Sequence, residues 1–145
     1  MAQNIYDDKD FFDEYIKLPR QVNGLEGADE WPSFRSLIPD VDGANVLDLG
    51  CGFGWLCRWA RENGAKKVLG VDLSANMLVE ARKFPHDPAI TYQQSDLDIL
   101  ELPLNTYDVA VSSLTLHYLN NLSGLGAHTA ISINKIMLPA VPTVA

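Results

Sequence analysis

Five residues, Asn45-Val46-Leu47-Asp48-Leu49, lead directly into Gly50-Cys51-Gly52-Phe53-Gly54, and an amphipathic stretch opens at Trp55. This order constrains the fold more than any other part of the chain. A short apolar run of this kind reads as a strand buried on both faces. Alternate glycines let the backbone turn sharply and leave no Cβ between it and a ligand. The helix that follows brings unpaired N–H groups to the same place. From Trp55 to Asn63, Trp55, Leu56, Trp59 and Ala60 share one face while Arg58, Arg61 and Glu62 take the other, and Gly64 is placed to cap the end.

The pattern then repeats. Lys67–Asp72 predicts a second strand, and Ser74 caps a helix running to Lys83 with Met77, Leu78 and Ala81 inward. Ile90–Gln94 and Tyr107–Ser112 predict a third and a fourth strand. Strands alternating with helices of about ten residues give an α/β fold, a doubly wound parallel sheet with right-handed crossovers. Before it, Asp10–Leu18 and Glu30–Leu37 read as short helices, with Pro19 ending the first and Pro32 in the first turn of the second. Gly24 and Gly27 mark a loop between them.

In such a sheet ligands sit at the carboxyl ends of the strands, beside the first crossover. A dinucleotide fingerprint, G-x-G-x-x-G/A, requires a small third residue; here that place holds Trp55, which weakens a nicotinamide reading. Asp72 ends the second strand 22 residues after Gly50, where a carboxylate accepts the two hydroxyls of a ribose. A solvated strand-end acid or a helix cap is the plainer role for Asp72, and the glycine loop upstream favours the ribose.

The segments VLDLGCGFG, VLGVDLSANML, SDLDIL and YDVAVSSLTLHYL occur in order across Asp40–Asn121. They resemble the motifs of class I S-adenosylmethionine-dependent methyltransferases, of the small-molecule type, and the wider stretch from Tyr6 resembles the same subgroup. The resemblance implies a Rossmann-like sheet of the class I type and S-adenosyl-L-methionine as cofactor. It implies that Gly50, Gly52 and Gly54 line the methionine part, with Asp48 near its ammonium. Asp72 would hold the ribose, Leu73 would pack on the adenine, Asp96 would accept its amine and Leu97 would offer a backbone N–H. Ser112 and Ser113 would approach the transferring methyl. As alternatives, Asp96 and Asp98 cap a helical turn and the serines simply end the strand.

Methyl transfer is an in-line displacement, so a base is needed only where the acceptor loses a proton; His117 and Tyr118, past the fourth strand, stand nearest to that step. A packing histidine is an equal reading of His117. Cys51 reads as a small filler in the loop. Tyr6, Phe11, Phe12, Tyr15, Trp31 and Phe34 suggest a lid over the cofactor, with Arg20 reaching its carboxylate; packing of the helices onto the sheet is the alternative.

Charge narrows the acceptor. The chain of 145 residues carries 11 basic and 19 acidic side chains, a net −8, of which −7 falls in residues 1–48. That balance speaks against nucleic acid and anionic lipid as partners, and leaves a small-molecule acceptor as the default. No apolar run approaches the roughly 18 residues of a membrane span, and Met1–Asp10 is too acidic for a signal peptide. Cys51 and Cys57 make neither a disulfide framework nor a metal quartet, so no metal is expected and the cytoplasm is the expected compartment.

Three segments are expected: a helical lid at 1–40, the cofactor-binding core at 41–121 and an atypical tail at 122–145. The tail has one charge, Lys135, and no aromatic residue. The family's later strands are not legible there, which predicts a sheet incomplete at its C-terminal side and a fourth strand with an open edge, available for self-association. Thr129–Leu138 reads as one helix or strand. Two other functions remain beside methyl transfer: a module that binds the cofactor without turnover, and a nicotinamide-dependent oxidoreductase on the related sheet.

Overall fold

The computed structural model describes residues 4–27, 29, 31–96, 100 and 106–112, and the backbone of 133–137. Five parallel strands form one sheet: β1 (Asn45–Leu49), β2 (Lys67–Asp72), β3 (Ile90–Gln94), β4 (Tyr107–Val111) and β5 (Ile133–Met137). Their order is β3-β2-β1-β4-β5. The chain thus starts in the middle, winds outward to β3, and crosses back over β1 to β4. The reversal opens a crevice at the carboxyl end of β1, as expected for this architecture.

Register follows from the two-residue period of the strands. Val46 pairs with Val68 and with Val109, and Asp48 pairs with Gly70 and Val111. Val46 and Val68 join a core with Trp31, Phe34, Leu56 and Leu78, packed under α3 (Trp31–Leu37), α4 (Trp55–Glu62) and α5 (Ala75–Ala81). On the other face Leu47, Leu49, Val71 and Ala110 gather with Leu100. Leu47, Leu49 and Leu78 are fully buried, each contributing about 1.5–3 kcal/mol by leaving water.

The strands β1, β2 and β3 match the sequence expectation residue for residue, and Ser74 caps α5 through a bond from the Met77 N–H. Differences lie at the helix ends. Helix α1 (Lys9–Tyr15) stops before Pro19, and Pro19 opens a further short helix, α2 (Pro19–Val22). A proline lacks the N–H that a first helical residue leaves unpaired anyway, so it starts a helix as readily as it stops one. Gly24–Gly27 forms a single 3-10 turn instead of an open loop.

The tail supplies a strand. β5 pairs along β4, with Tyr107 opposite Ile133 and Val111 opposite Met137. The expectation of an open β4 edge is therefore corrected: the outer strands of the described sheet are β3 and β5. Ile133 and Ile136 give the run the β-branched character that a strand favours, despite the glycines and prolines around it.

Candidate functional site

Beyond Leu49 the backbone turns through Gly50, Gly52 and Gly54, all at positive φ. The loop is tied to the end of β2: the N–H groups of Gly50 and Cys51 both donate to the Val71 carbonyl, at 2.7 and 3.0 Å. The Gly52 N–H donates to Asp72 Oδ2 at 2.8 Å. Two of these glycines serve different ends. A Cβ on Gly54 would meet the Tyr92 hydroxyl and Arg58 Nη1, side-chain ends that would have to shift to admit it. A Cβ on Gly52 would meet nothing within 4 Å, so its bare face looks onto open space.

Arg58 braces the loop from behind. Its Nη1 donates to the Phe53 carbonyl at 2.7 Å, and its guanidinium carbon lies 4.6 Å from the centroid of Trp55 and 3.6 Å from that of Phe84. Cation–π contacts on two rings, on the order of 0.5–2 kcal/mol each, hold the planar group in place. The Trp55 ring lies across Gly24, where a Cβ would come within 2.7 Å of it. The indole thus packs between the N-terminal segment at Gly24 and the Phe84 ring.

Two carboxylates face the loop. Asp48 is 2% exposed and accepts the Cys57 thiol at 3.3 Å. Burial, with the Asp72 charge adding to it and the thiol opposing, pushes its pKa up to about 7. Burial also raises Asp72, against the N–H groups that favour its charged form. Asp72 Oδ1 accepts the Ser74 N–H at 2.9 Å while Oδ2 holds Gly52. A carboxylate has about four lone-pair directions, and with the Ser74, Gly52 and Leu73 N–H groups on it Asp72 has capacity for one further donor. Cys51 and Cys57 are both buried, and their thiols are pushed up, Cys57 well above its ordinary value through Cys51 and burial. They behave as fillers between β2 and α4, as expected of Cys51.

A cleft opens over the loop, lined by Tyr15, Gln21, Trp31, Asp48, Gly52 and Phe53 among others. Helices before the first strand build its outer wall, and Phe12 approaches Phe53 with ring centroids 6.3 Å apart. The wall is thus formed by the segment expected to act as a lid.

Of the sequence-predicted residues, Asp48, Gly50 and Gly52 line this cleft, and Asp72 joins them through its bond to Gly52, while Gly54 and Leu73 are not among its lining residues. Asp96 follows at the end of β3, where the Ser95 N–H donates to the Asp72 carbonyl at 3.0 Å. Ser112, after β4, is 1% exposed, and its hydroxyl has no partner among the described residues. Leu97, Ser113, His117 and Tyr118 lie outside the described residues, as does the side chain of Arg20, whose backbone lies in α2. Gln21 and Arg58 were missed by the sequence reading. Arg58 had a signal, standing four residues after Gly54 on the helix; Gln21 had none.

Residues 46–130 match the methyltransferase domain family. An S-adenosylmethionine-dependent methyltransferase from Mesorhizobium loti superposes with a TM-score of 0.73 at 50% identity, covering 76% of this chain and 50% of that one. An uncharacterized protein of Haemophilus influenzae is 35% identical over 144 residues, 93% of this chain and 56% of its own. A malonyl-[acyl-carrier protein] O-methyltransferase from Enterobacter lignolyticus is 39% identical over 79 residues, 54% of this chain and 30% of its own. The chain thus spans about half the length, or less, of these relatives. The nicotinamide reading finds no counterpart among them. Among the described residues, no helix is long and apolar enough to cross a membrane.

Proposed function

The chain belongs to the methyltransferase domain family, with its class I fold and its S-adenosylmethionine cofactor, and from that premise we propose that it transfers a methyl group to a small-molecule acceptor in the cytoplasm. One observation carries the assignment of the site: the Asp72 carboxylate, docked on the Gly52 N–H at the end of the second strand, has capacity left for a ribose hydroxyl. The residues present fit the cofactor in two further respects. Gly52 leaves open space where a ligand would lie against the loop, and the buried Ser112 hydroxyl has no partner among the described residues.

S-adenosylmethionine supplies, when bound, an activated methyl group on a sulfonium. The protein's share of the work is alignment and exclusion of water, which is worth on the order of 7–11 kcal/mol in well-oriented reactions. Gly50, Gly52 and Gly54 would line the methionine arm, with Asp48 toward its ammonium and Arg20 toward its carboxylate. Leu73, Asp96 and Leu97 would hold the adenine, and Ser112 the region of the methyl. Residues 1–40 act as the lid. Tyr15 and Trp31, on the wall of the cleft, would keep water from the reacting centre. For an acceptor that must lose a proton, His117 or Tyr118 would receive it.

The acidic balance of the chain supports a small molecule over a nucleic acid. Turnover tests the reading: incubation with S-adenosylmethionine and a fractionated metabolite extract releases S-adenosylhomocysteine if the chain is a transferase. Cofactor binding with no release from any fraction would instead assign a binding module without catalysis.

A further inference from the structure

Asp7 holds a helix that begins 68 residues after it. Its Oδ1 accepts the Ser74 hydroxyl at 2.6 Å and the Asn76 N–H at 3.0 Å, and its Oδ2 accepts the Ala75 N–H at 3.3 Å. The Asn4 amide donates to the same Oδ2 at 2.9 Å and to the Leu73 carbonyl at 3.4 Å. Asn76 Nδ2 donates in turn to the Tyr6 carbonyl at 3.2 Å. Helix α5 already has its own cap, since Ser74 Oγ accepts the Met77 N–H at 3.2 Å. A carboxylate from so far along the chain, added to that hydroxyl cap, therefore does more than begin a helix.

Ser74 is also the next link to the crevice. Its N–H donates to Asp72 Oδ1, and Asp72 Oδ2 holds Gly52. The bonds run without a break from Asp7 through Ser74 and Asp72 to the glycine loop. On the other side of Asp7, the Tyr6 ring meets Phe11 at 5.5 Å and Tyr15 at 4.9 Å between centroids. Tyr15 lines the cleft. Yet neither Ile5–Asp7 nor α1 buries a single residue fully. Apolar packing fixes this wall weakly, and charge-assisted bonds are the stronger kind available to hold it.

We propose that Asp7 is a positioning residue for the cofactor: it latches the wall formed by residues 5–15 to the strand end that carries Asp72, so that wall closure and ligand binding on Asp72 favour each other. This inference rests on reading the cleft as the S-adenosylmethionine site. It adds a coupling that the cofactor contacts alone do not contain.

The test uses the full chain and S-adenosylhomocysteine as probe, with calorimetry for affinity and amide hydrogen exchange for the wall. In the wild type the probe slows exchange both at residues 50–54 and at residues 5–15. Asp7→Ala should weaken binding about tenfold, and the probe should then protect 50–54 but no longer 5–15. A general loss of fold would instead raise exchange everywhere, and that pattern counts against a latch. Asp7→Ala binding within twofold of wild type, with 5–15 still protected, overturns the proposal. If Asp7→Ala cannot be purified, the wild type decides alone: unchanged exchange at 5–15 on binding is contrary to the latch. A wild type that does not bind the probe overturns the cofactor reading and the latch with it, and is distinguished by silence in the first titration.

Discussion

Asp72 Oδ2 lies 2.8 Å from the Gly52 backbone nitrogen, so the end of the second strand is bonded directly to the turn that follows the first. The other oxygen of the same carboxylate receives the Ser74 N–H at 2.9 Å. One side chain thus fixes the glycine loop and the start of α5 together. Its position is set by backbone register, because Leu49 opposite Val71 brings the two strand ends level.

Asp72→Asn tests this junction. The amide keeps one acceptor oxygen but turns a donor toward either Gly52 or Ser74, leaving that N–H unpaired. Affinity for S-adenosylhomocysteine should fall about 10–100-fold, equivalent to roughly 1.4–2.8 kcal/mol, by titration calorimetry. Undiminished affinity would detach the carboxylate from the ligand.

Gly52 and Gly54 should respond differently to alanine. Both have positive φ, so either substitution strains the backbone by about 1–2 kcal/mol. Gly54→Ala also requires the Tyr92 and Arg58 side-chain ends to shift, and should show the larger loss in urea unfolding. Gly52→Ala meets open space, and its main effect should be on ligand affinity. The reverse ranking in the unfolding experiment contradicts the division of roles.

Arg58→Lys removes the planar fork between Trp55 and Phe84 while keeping the charge. The contact with the Phe53 carbonyl is lost or lengthened, and unfolding free energy should drop by about 1–3 kcal/mol. Urea titration followed by tryptophan fluorescence reads this directly, because Trp55 is one of the rings in contact.

Asp48 gives a pH signature. Burial raises its folded pKa to about 7 from an ordinary 3.8. Between those values the folded chain retains a proton that the unfolded chain has released, so this group lowers stability as pH rises through the window. The penalty is absent below it and complete above it. Asp48→Asn should therefore raise Tm relative to wild type more at pH 8 than at pH 4. An ammonium brought beside Asp48 would favour its charged form, so probe binding at pH 6 should release protons, seen as a dependence of the apparent enthalpy on the buffer. An offset independent of pH, with no proton release, is the contrary result.

The sequence made the central βαβαβ unit legible because its strands are buried and its turns carry glycine or a capping serine. Val46, Leu47 and Leu49 have no other way to be satisfied, and Gly50, Gly52 and Gly54 announce the turn. The less legible parts depend on contacts between distant segments. Nothing near Asp7 says that it will meet Ser74, and an acid after Tyr6 reads as a solvated charge. Trp55 was recognised as too large for a dinucleotide loop, but its seat on Gly24 required the fold of the N-terminal helices. The β5 strand falls within Thr129–Leu138, an element whose type the sequence left open between helix and strand because Gly124, Gly126, Pro139 and Pro142 surround a short apolar run.

Calorimetric titration of the full chain with S-adenosylhomocysteine and, separately, with NADH tests the central claim most directly. The account predicts saturable binding of one S-adenosylhomocysteine per chain and no response to NADH. Tight NADH binding by a chain that ignores S-adenosylhomocysteine would contradict it.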